Sequence, residues 1–246
     1  MVPNIVGGDN AEQDEYPFWV YFIEDGVYFC GGSILDNMTV LTAAHCFPFG
    51  LNDGYVHQVV AGDYNYDVYE GTEQVRDLRA LAIHPKYDPS SYMSADIAIL
   101  KLATPFDFNT YVGRPVNIPN KNTERRAQKK KNCWVVGAGL TGQNPNAYEP
   151  LLQELEAVPR SYSQCKDTAF DMYGLTWNFK FICSIHSGKS GCRGDSGGPL
   201  VCFLNDEPVQ MGVVSWGGSN CADDGFGAYT RPRSYKKWIM KNIANL

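Results

Sequence analysis

The chain has 246 residues, 44% of them hydrophobic, and a formal net charge of −6 at pH 7. That is long and apolar enough for one large or two small domains with proper cores, and the acidic balance excludes the broad basic surface of a nucleic-acid binder. No apolar run approaches the roughly 18 residues that would span a membrane, and the opening residues lack the basic start and apolar stretch of a signal peptide.

Short β-prone runs separated by turn residues begin at 18–23 and continue at 27–30, 40–42, 56–61, 80–83 and 97–102. Glu24-Asp25-Gly26 reads as a hairpin turn joining the first two. Asn37-Met38-Thr39 is a glycosylation sequon, compatible with export. Residues 121–131 then gather Lys121, Arg125, Arg126, Lys129, Lys130 and Lys131 around a single acid, Glu124. This segment reads as a solvated connector, with an exosite for an acidic partner as the alternative. Strand-like runs resume at 133–136, 151–158, 179–183, 199–203, 209–216 and 227–230. Two batches of such runs predict an all-β fold of two antiparallel six-stranded β-barrels. Only the end changes period: Tyr235, Trp238, Ile239 and Ile243 share one helical face, which predicts a C-terminal α-helix packed on the second barrel. The expected division is a leader or propeptide remnant at 1–4, a first barrel at 5–120, a basic connector at 121–132, and a second barrel with its helix at 133–246.

Eight cysteines, Cys30, Cys46, Cys133, Cys165, Cys183, Cys192, Cys202 and Cys221, lack the paired spacing of zinc sites. Disulfides and an oxidising, extracellular compartment are the better reading.

Three segments carry chemistry. In Gly194-Asp195-Ser196-Gly197-Gly198-Pro199 a serine sits among glycines that let backbone N–H groups turn toward a carbonyl oxygen. Serine is a weak nucleophile and needs a general base. Thr42-Ala43-Ala44-His45-Cys46 offers a histidine just after a strand, and Asp96-Ile97-Ala98-Ile99-Leu100 offers an acid opening an apolar run. The serine segment is the most specific of the three, whereas His45 alone is more often structural and Asp96 alone could merely begin its strand. Together, in the order His, Asp, Ser, they fill the three roles that acyl transfer requires. An α/β-hydrolase places its serine before the acid and histidine, the reverse of what is found here.

On these motifs the chain resembles the chymotrypsin and trypsin family of serine peptidases, from Ile5 to about Trp238. Ile5-Val6-Gly7-Gly8 is similar to the family's mature N-terminus, and Ser215-Trp216-Gly217 to its substrate-binding strand. The resemblance implies an active site between two barrels, with His45, Asp96 and Ser196 as the triad and the N–H groups of Gly194 and Ser196 as the oxyanion hole. It implies that Ser190, Gly191, Ser215, Trp216, Gly217 and Gly227 bind substrate. It also implies the pairs Cys30–Cys46, Cys133–Cys202, Cys165–Cys183 and Cys192–Cys221, and activation by a freed Ile5 amine that pairs with Asp195. Gly62 to Gln74 resembles the calcium loop of trypsins, with Asp63, Glu70, Glu73 and the carbonyls of Asn65 and Val68 as ligands; a solvated acidic loop is the alternative.

The chain departs from the pattern in three places. Asn4 precedes Ile5 where the family cuts after Arg or Lys, and Ala138 and Thr39 stand where tryptophans are usual. Ser190 falls at the pocket floor, where trypsin-like members carry aspartate. The expected activity is therefore a secreted serine endopeptidase cleaving after Phe, Tyr, Leu or Met, with no cofactor in the chemistry. Trypsin-like or broad collagenolytic specificity, a zymogen, and a non-catalytic binding homologue remain alternatives. Asp223 and Asp224 could draw basic residues to the pocket, and Lys189 or Arg193 acidic ones. The expected partners are protein or peptide substrates and protein protease inhibitors, with no nucleic acid or membrane, and the chain is expected to act as a monomer.

Overall fold

The computed structural model describes residues 5, 7–110, 112–139, 150–186, 188–218 and 225–246. In chain order its elements are β1 (Asp9–Asn10), β2 (Trp19–Glu24), β3 (Val27–Asp36), β4 (Thr39–Thr42), β5 (His57–Ala61), β6 (Gln74–Ile83), β7 (Ala98–Leu102) and α1 (Lys121–Lys130). They are followed by β8 (Cys133–Gly137), β9 (Gln153–Glu156), α2 (Tyr162–Tyr173), β10 (Phe181–Ile185), β11 (Pro199–Leu204), β12 (Glu207–Gly217), β13 (Phe226–Thr230) and α3 (Pro232–Asn245).

The first half closes into an antiparallel barrel in the order β2-β3-β4-β7-β6-β5. The expected hairpin is present: Glu24 pairs with Val27, and Asp25 and Gly26 turn the chain with φ of 48° and 83°. At the barrel's centre β4 and β7 are buried along their whole lengths and pair from Thr39↔Lys101 to Thr42↔Ala98. That register decides where the chemistry lies. His45 follows Thr42 in a short 3₁₀ turn, and Asp96 precedes Ala98, so both emerge at the same end of one strand pair.

The second half is a half-barrel sheet in the order β1-β9-β8-β11-β12-β13-β10, its six main strands joined at one edge by the two-residue β1. The disulfides Cys133–Cys202 and Cys165–Cys183 lie in this half and Cys30–Cys46 in the first, as the resemblance implied. The fourth expected pair includes Cys221, outside the described residues.

Two helices were not anticipated. The basic segment is the helix α1, capped by the Asn120 side chain and carrying only two buried residues, Glu124 and Ala127. Glu124 is no surface acid: it pairs with Arg231 Nη2 at 2.9 Å and with Arg233 Nε. α2 begins at a capping box between Ser161 and Gln164, ends on Gly174 in the left-handed region, and brings Cys165 to its partner. α3 contacts β12 as expected, but it also packs on β7 of the first barrel. Tyr235 and Ile239 join that barrel's core, and Lys101 Nζ donates to the carbonyl of Ile243 at 2.8 Å.

Candidate active site

Asp96 is 6% exposed and its carboxylate is fully used. Oδ2 lies 2.7 Å from His45 Nδ1 and accepts from Ser215 Oγ at 2.6 Å, while Oδ1 accepts the backbone N–H of His45 at 2.9 Å. Burial alone would raise this carboxyl, but the hydrogen bonds and charge of His45, with the Ser215 hydroxyl, hold it below its ordinary value. A low pKa keeps it ionised and able to orient the ring. It also leaves His45 Nε2 unencumbered on the open side.

Ser196 comes from the turn between Cys192 and β11. Its carbonyl accepts from Gly31 N at 2.8 Å, and the next residue donates to Val214 O at 2.8 Å, so the turn is bolted to both halves. A Cβ on Gly197 would stand 2.1 Å from Thr42 Oγ1, which places Ser196 against the segment that leads into His45. Among the described residues no hydrogen bond joins Ser196 to His45, a gap that substrate commonly closes in such sites. Gly194 holds φ of 100°, a conformation that disfavours side chains. Among the described residues, neither Gly194 N–H nor Ser196 N–H donates within the protein. One contact went unforeseen: Tyr28 Oη donates to the carbonyl of Gly194 at 2.6 Å, fixing the orientation of the peptide beside the oxyanion position.

A cavity of about 210 Å³ opens beside Ser196, walled by Val214, Trp216, Phe226 and Tyr229, with Gly191, Ser215, Gly217 and Gly227 among its other lining residues. Gly227 is there because a Cβ would stand 2.4 Å from Tyr229 Oη. No acidic side chain lines this space among the described residues. Ser190 is buried next to it, its Oγ donating to Gly191 O at 3.0 Å, but Gly191 rather than Ser190 borders the cavity. Lys189 and Arg193 are exposed. Asp223 and Asp224 lie outside the described residues. A second cavity of about 340 Å³ holds His45, Asp96, Tyr87 and Tyr92, and shares Ser215 and Trp216 with the first. The aromatic residues Phe226, Tyr87 and Tyr92 were not singled out from sequence, because nothing in their spacing marks them.

Asp195 is fully buried. It accepts from Cys192 N at 2.7 Å and Gly139 N at 2.9 Å, and burial pushes its carboxyl up to about 6 despite those bonds. Among the described residues no cation pairs with it. Ile5 is also fully buried, packed in the second half's core with Val135, Leu200 and Tyr229, and holds φ of 35°, a conformation that β-branched residues avoid. Residues 1–4 and Val6 lie outside the described residues.

In the acidic loop Asp63, Glu70 and Glu73 bring carboxylate oxygens within 4.8 Å of one another. Backbone N–H groups arrange them: Glu70 Oε2 accepts from Tyr64 and Asn65, and Glu73 from Glu70 and Gly71. Asp63 Oδ1 is buried without a partner among the described residues, an orphan that a cation would satisfy. Asn65 O accepts from Val68 N at 2.9 Å, and Val68 is exposed.

The comparisons agree with this geometry. The sequence model of a family described as Trypsin matches residues 5–239. Trypsin-4 of Rattus norvegicus is 38% identical over 243 residues, covering 98% of this chain and 90% of that protein. Trypsin II-P29 of Gallus gallus is 36% identical over 241 residues (98% and 89%), and trypsin of Sus scrofa 33% over 240 residues (98% and 96%). With a match over nearly its whole length, a barrel and half-barrel, and a hydrogen-bonded His45–Asp96 pair, this chain belongs to the trypsin family of serine proteases.

Proposed function

We propose that this serine protease is secreted and cleaves proteins after large apolar residues through an acyl-enzyme, with His45, Asp96 and Ser196 as its triad. Ser196 Oγ attacks the scissile carbonyl carbon while His45 Nε2 takes the hydroxyl proton, and Asp96 holds the ring and balances the imidazolium. The carbonyl oxygen becomes an oxyanion facing the N–H groups of Gly194 and Ser196. Collapse of this intermediate breaks the C–N bond, and His45 returns the proton to the leaving amine. Water, activated by the same base, then hydrolyses the ester and restores Ser196. The backbone of Ser215 to Gly217 pairs with extended substrate, so affinity is spread over main chain. Protein inhibitors would use the same cleft, and the chain acts as a monomer.

The observation that carries the specificity is the cavity beside Ser196, whose described lining includes Val214, Trp216, Phe226 and Tyr229 and no acid, its one cation being the exposed Arg193. A phenylalanine or leucine buried there gains about 1.5–3 kcal/mol, whereas an unpaired arginine loses hydration worth several kcal/mol. The competing reading, cleavage after Arg or Lys, is favoured by relatives named trypsins. Matched peptide substrates ending in Phe, Leu, Arg and Glu decide between them: kcat/KM for Phe should exceed that for Arg at least tenfold, and an Arg preference would overturn this reading. Ser196→Ala should lower kcat by about 10⁴-fold or more; unchanged turnover would remove the triad assignment, because the activity would not depend on Ser196.

We also propose that Asp63, Glu70 and Glu73, with the carbonyls of Asn65 and Val68, hold a calcium ion. Oxygen-only donors suit this hard cation. Bound there, it would neutralise three clustered carboxylates and stiffen the loop, without entering the chemistry.

A further inference from the structure

A second cluster of potential ligands lies on the first barrel, away from both the triad and the acidic loop. Glu24, Asp53 and His57 each offer a donor atom within 4.8 Å of the others. Two of them are fixed by the sheet: Glu24 is the last residue of β2, His57 the first of β5, and the strand register sets them directly opposite each other. Cross-strand partners keep their side chains about 4.5–5.5 Å apart at Cβ, so the pair does not depend on a loop for its spacing.

The imidazole is held as a metal-binding histidine is held. Its side chain is only 5% exposed and packs edge-on against the rings of Phe29 and Phe47. Nε2 is engaged at 2.9 Å by Asp53 Oδ1, which also accepts from Tyr55 N. That contact engages Nε2 and leaves Nδ1 as the ring nitrogen facing Glu24. Nδ1 is buried, has no hydrogen-bond partner among the described residues, and lies 3.7 Å from Glu24 Oε1, too far for a hydrogen bond. Ligands about 2.0–2.2 Å from a tetrahedral zinc stand roughly 3.4 Å apart, so a shift of a few tenths of an ångström brings Nδ1 and Glu24 onto one ion. Asp53 would then be the carboxylate behind the histidine, an arrangement that orients the ring and raises its basicity.

We propose that Glu24 and His57 Nδ1, backed by Asp53, form a binding site for a borderline-soft divalent cation such as Zn²⁺. An imidazole nitrogen with carboxylate suits zinc better than calcium or magnesium. Water completes the coordination, since the Glu24 side chain is 40% exposed. The ion closes the loop that leaves Cys46, next to His45, and returns at His57. This loop is already tied to the β2–β3 turn by the mutual bonds of Asp25 and Val56. The proposal is independent of the substrate specificity argued above.

Calorimetric titration of Zn²⁺ into the full Ser196→Ala chain, in saturating Ca²⁺, tests it. One Zn²⁺ should bind with micromolar affinity, weakened at least tenfold by Glu24→Gln and by His57→Gln, and about 10–100-fold by Asp53→Asn. Glu24 is the exposed member, so its variant serves even where His57→Gln fails to fold. No binding by the folded chain would overturn the proposal, leaving His57 as an imidazole between two carboxylates. Binding that ignores Glu24→Gln and disappears with His45→Ala would also overturn it, by placing the ion on the triad.

Discussion

The two halves of the cleft differ in how fully their buried carboxylates are balanced. In the first, Asp96 is met by three hydrogen bonds, two from the neighbouring His45 and one from Ser215 across the cleft, at the end of the most deeply buried strand pair of a closed barrel. In the second, Asp195, the neighbour of Ser196, is more deeply buried than Asp96 yet has only two backbone amides and no cation among the described residues. The contrast appears in their acidities: Asp96 is held below its ordinary value, Asp195 pushed up to about 6. A half whose charge is balanced stays as it folds. A half whose charge is unbalanced can be switched by whatever balances it.

The strongest way to break this comparison is to cut after Asn4. The freed Ile5 amine should pair with Asp195, order the Gly194 turn, and release the positive φ of Ile5. A buried pair of this kind is worth about 3–5 kcal/mol, so amidase activity should rise by roughly 10²–10³-fold or more over the uncut chain. Intact mass recorded beside active-site titration checks it, and full activity with Met1 attached would refute it. The same carboxylate gives the uncut chain a pH signature. Its pKa is about 6 folded and 3.8 unfolded, so its contribution is fully present below about pH 4 and lost as pH rises through 6. The loss is of order 3 kcal/mol. Urea unfolding of the uncut chain between pH 4 and 7 should lose that slope in Asp195→Asn, and the trimmed chain should lose it too.

Calcium tests the first half, where an acidic loop is unbalanced in its own way. At a hundredfold excess over its Kd the ion should add about 2.7 kcal/mol, so chelation should lower the melting temperature by several degrees. A melting temperature indifferent to both chelator and calcium would leave a solvated acidic loop. The smallest effect is expected from Tyr28→Phe, which removes one bond between the halves. A neutral hydrogen bond nets about 0.5–1.5 kcal/mol, so kcat should fall about 2–12-fold while KM stays within twofold. A change confined to KM would show that Tyr28 shapes substrate binding rather than the Gly194 peptide.

Much of this was legible before any coordinates. The twelve strand-like runs all correspond to strands, because alternation and turn residues report directly on half-buried sheets. His45, Asp96 and Ser196 could be proposed as a triad from sequence because they sit in segments whose neighbours are constrained by the same chemistry. α1 was missed because a helix with two buried residues, one of them Glu124, has no apolar stripe to detect. α2 had a signal that could have been used, Ser161 and Gln164 at capping-box spacing with Gly174 beyond. Tyr28 over Gly194, and His57 opposite Glu24, were beyond reach for a different reason: each depends on strand register and barrel closure, which no local pattern encodes.

The terminal segments are exchanged between the halves. β1 pairs with β9 of the second sheet, Asp9 opposite Glu154, while α3 at the other end sinks Tyr235 and Ile239 into the first barrel. Each half is thus clasped by the chain end nearer in sequence to the other. Severing the chain around α1 would leave two fragments held together by packing alone and separable on denaturation, since each described disulfide stays within its own half. β1 also acts as a short leash. Were the chain cut after Asn4, only four residues would separate the new end from Asp9, about 14 Å of chain at full stretch, which confines the search of the new amine.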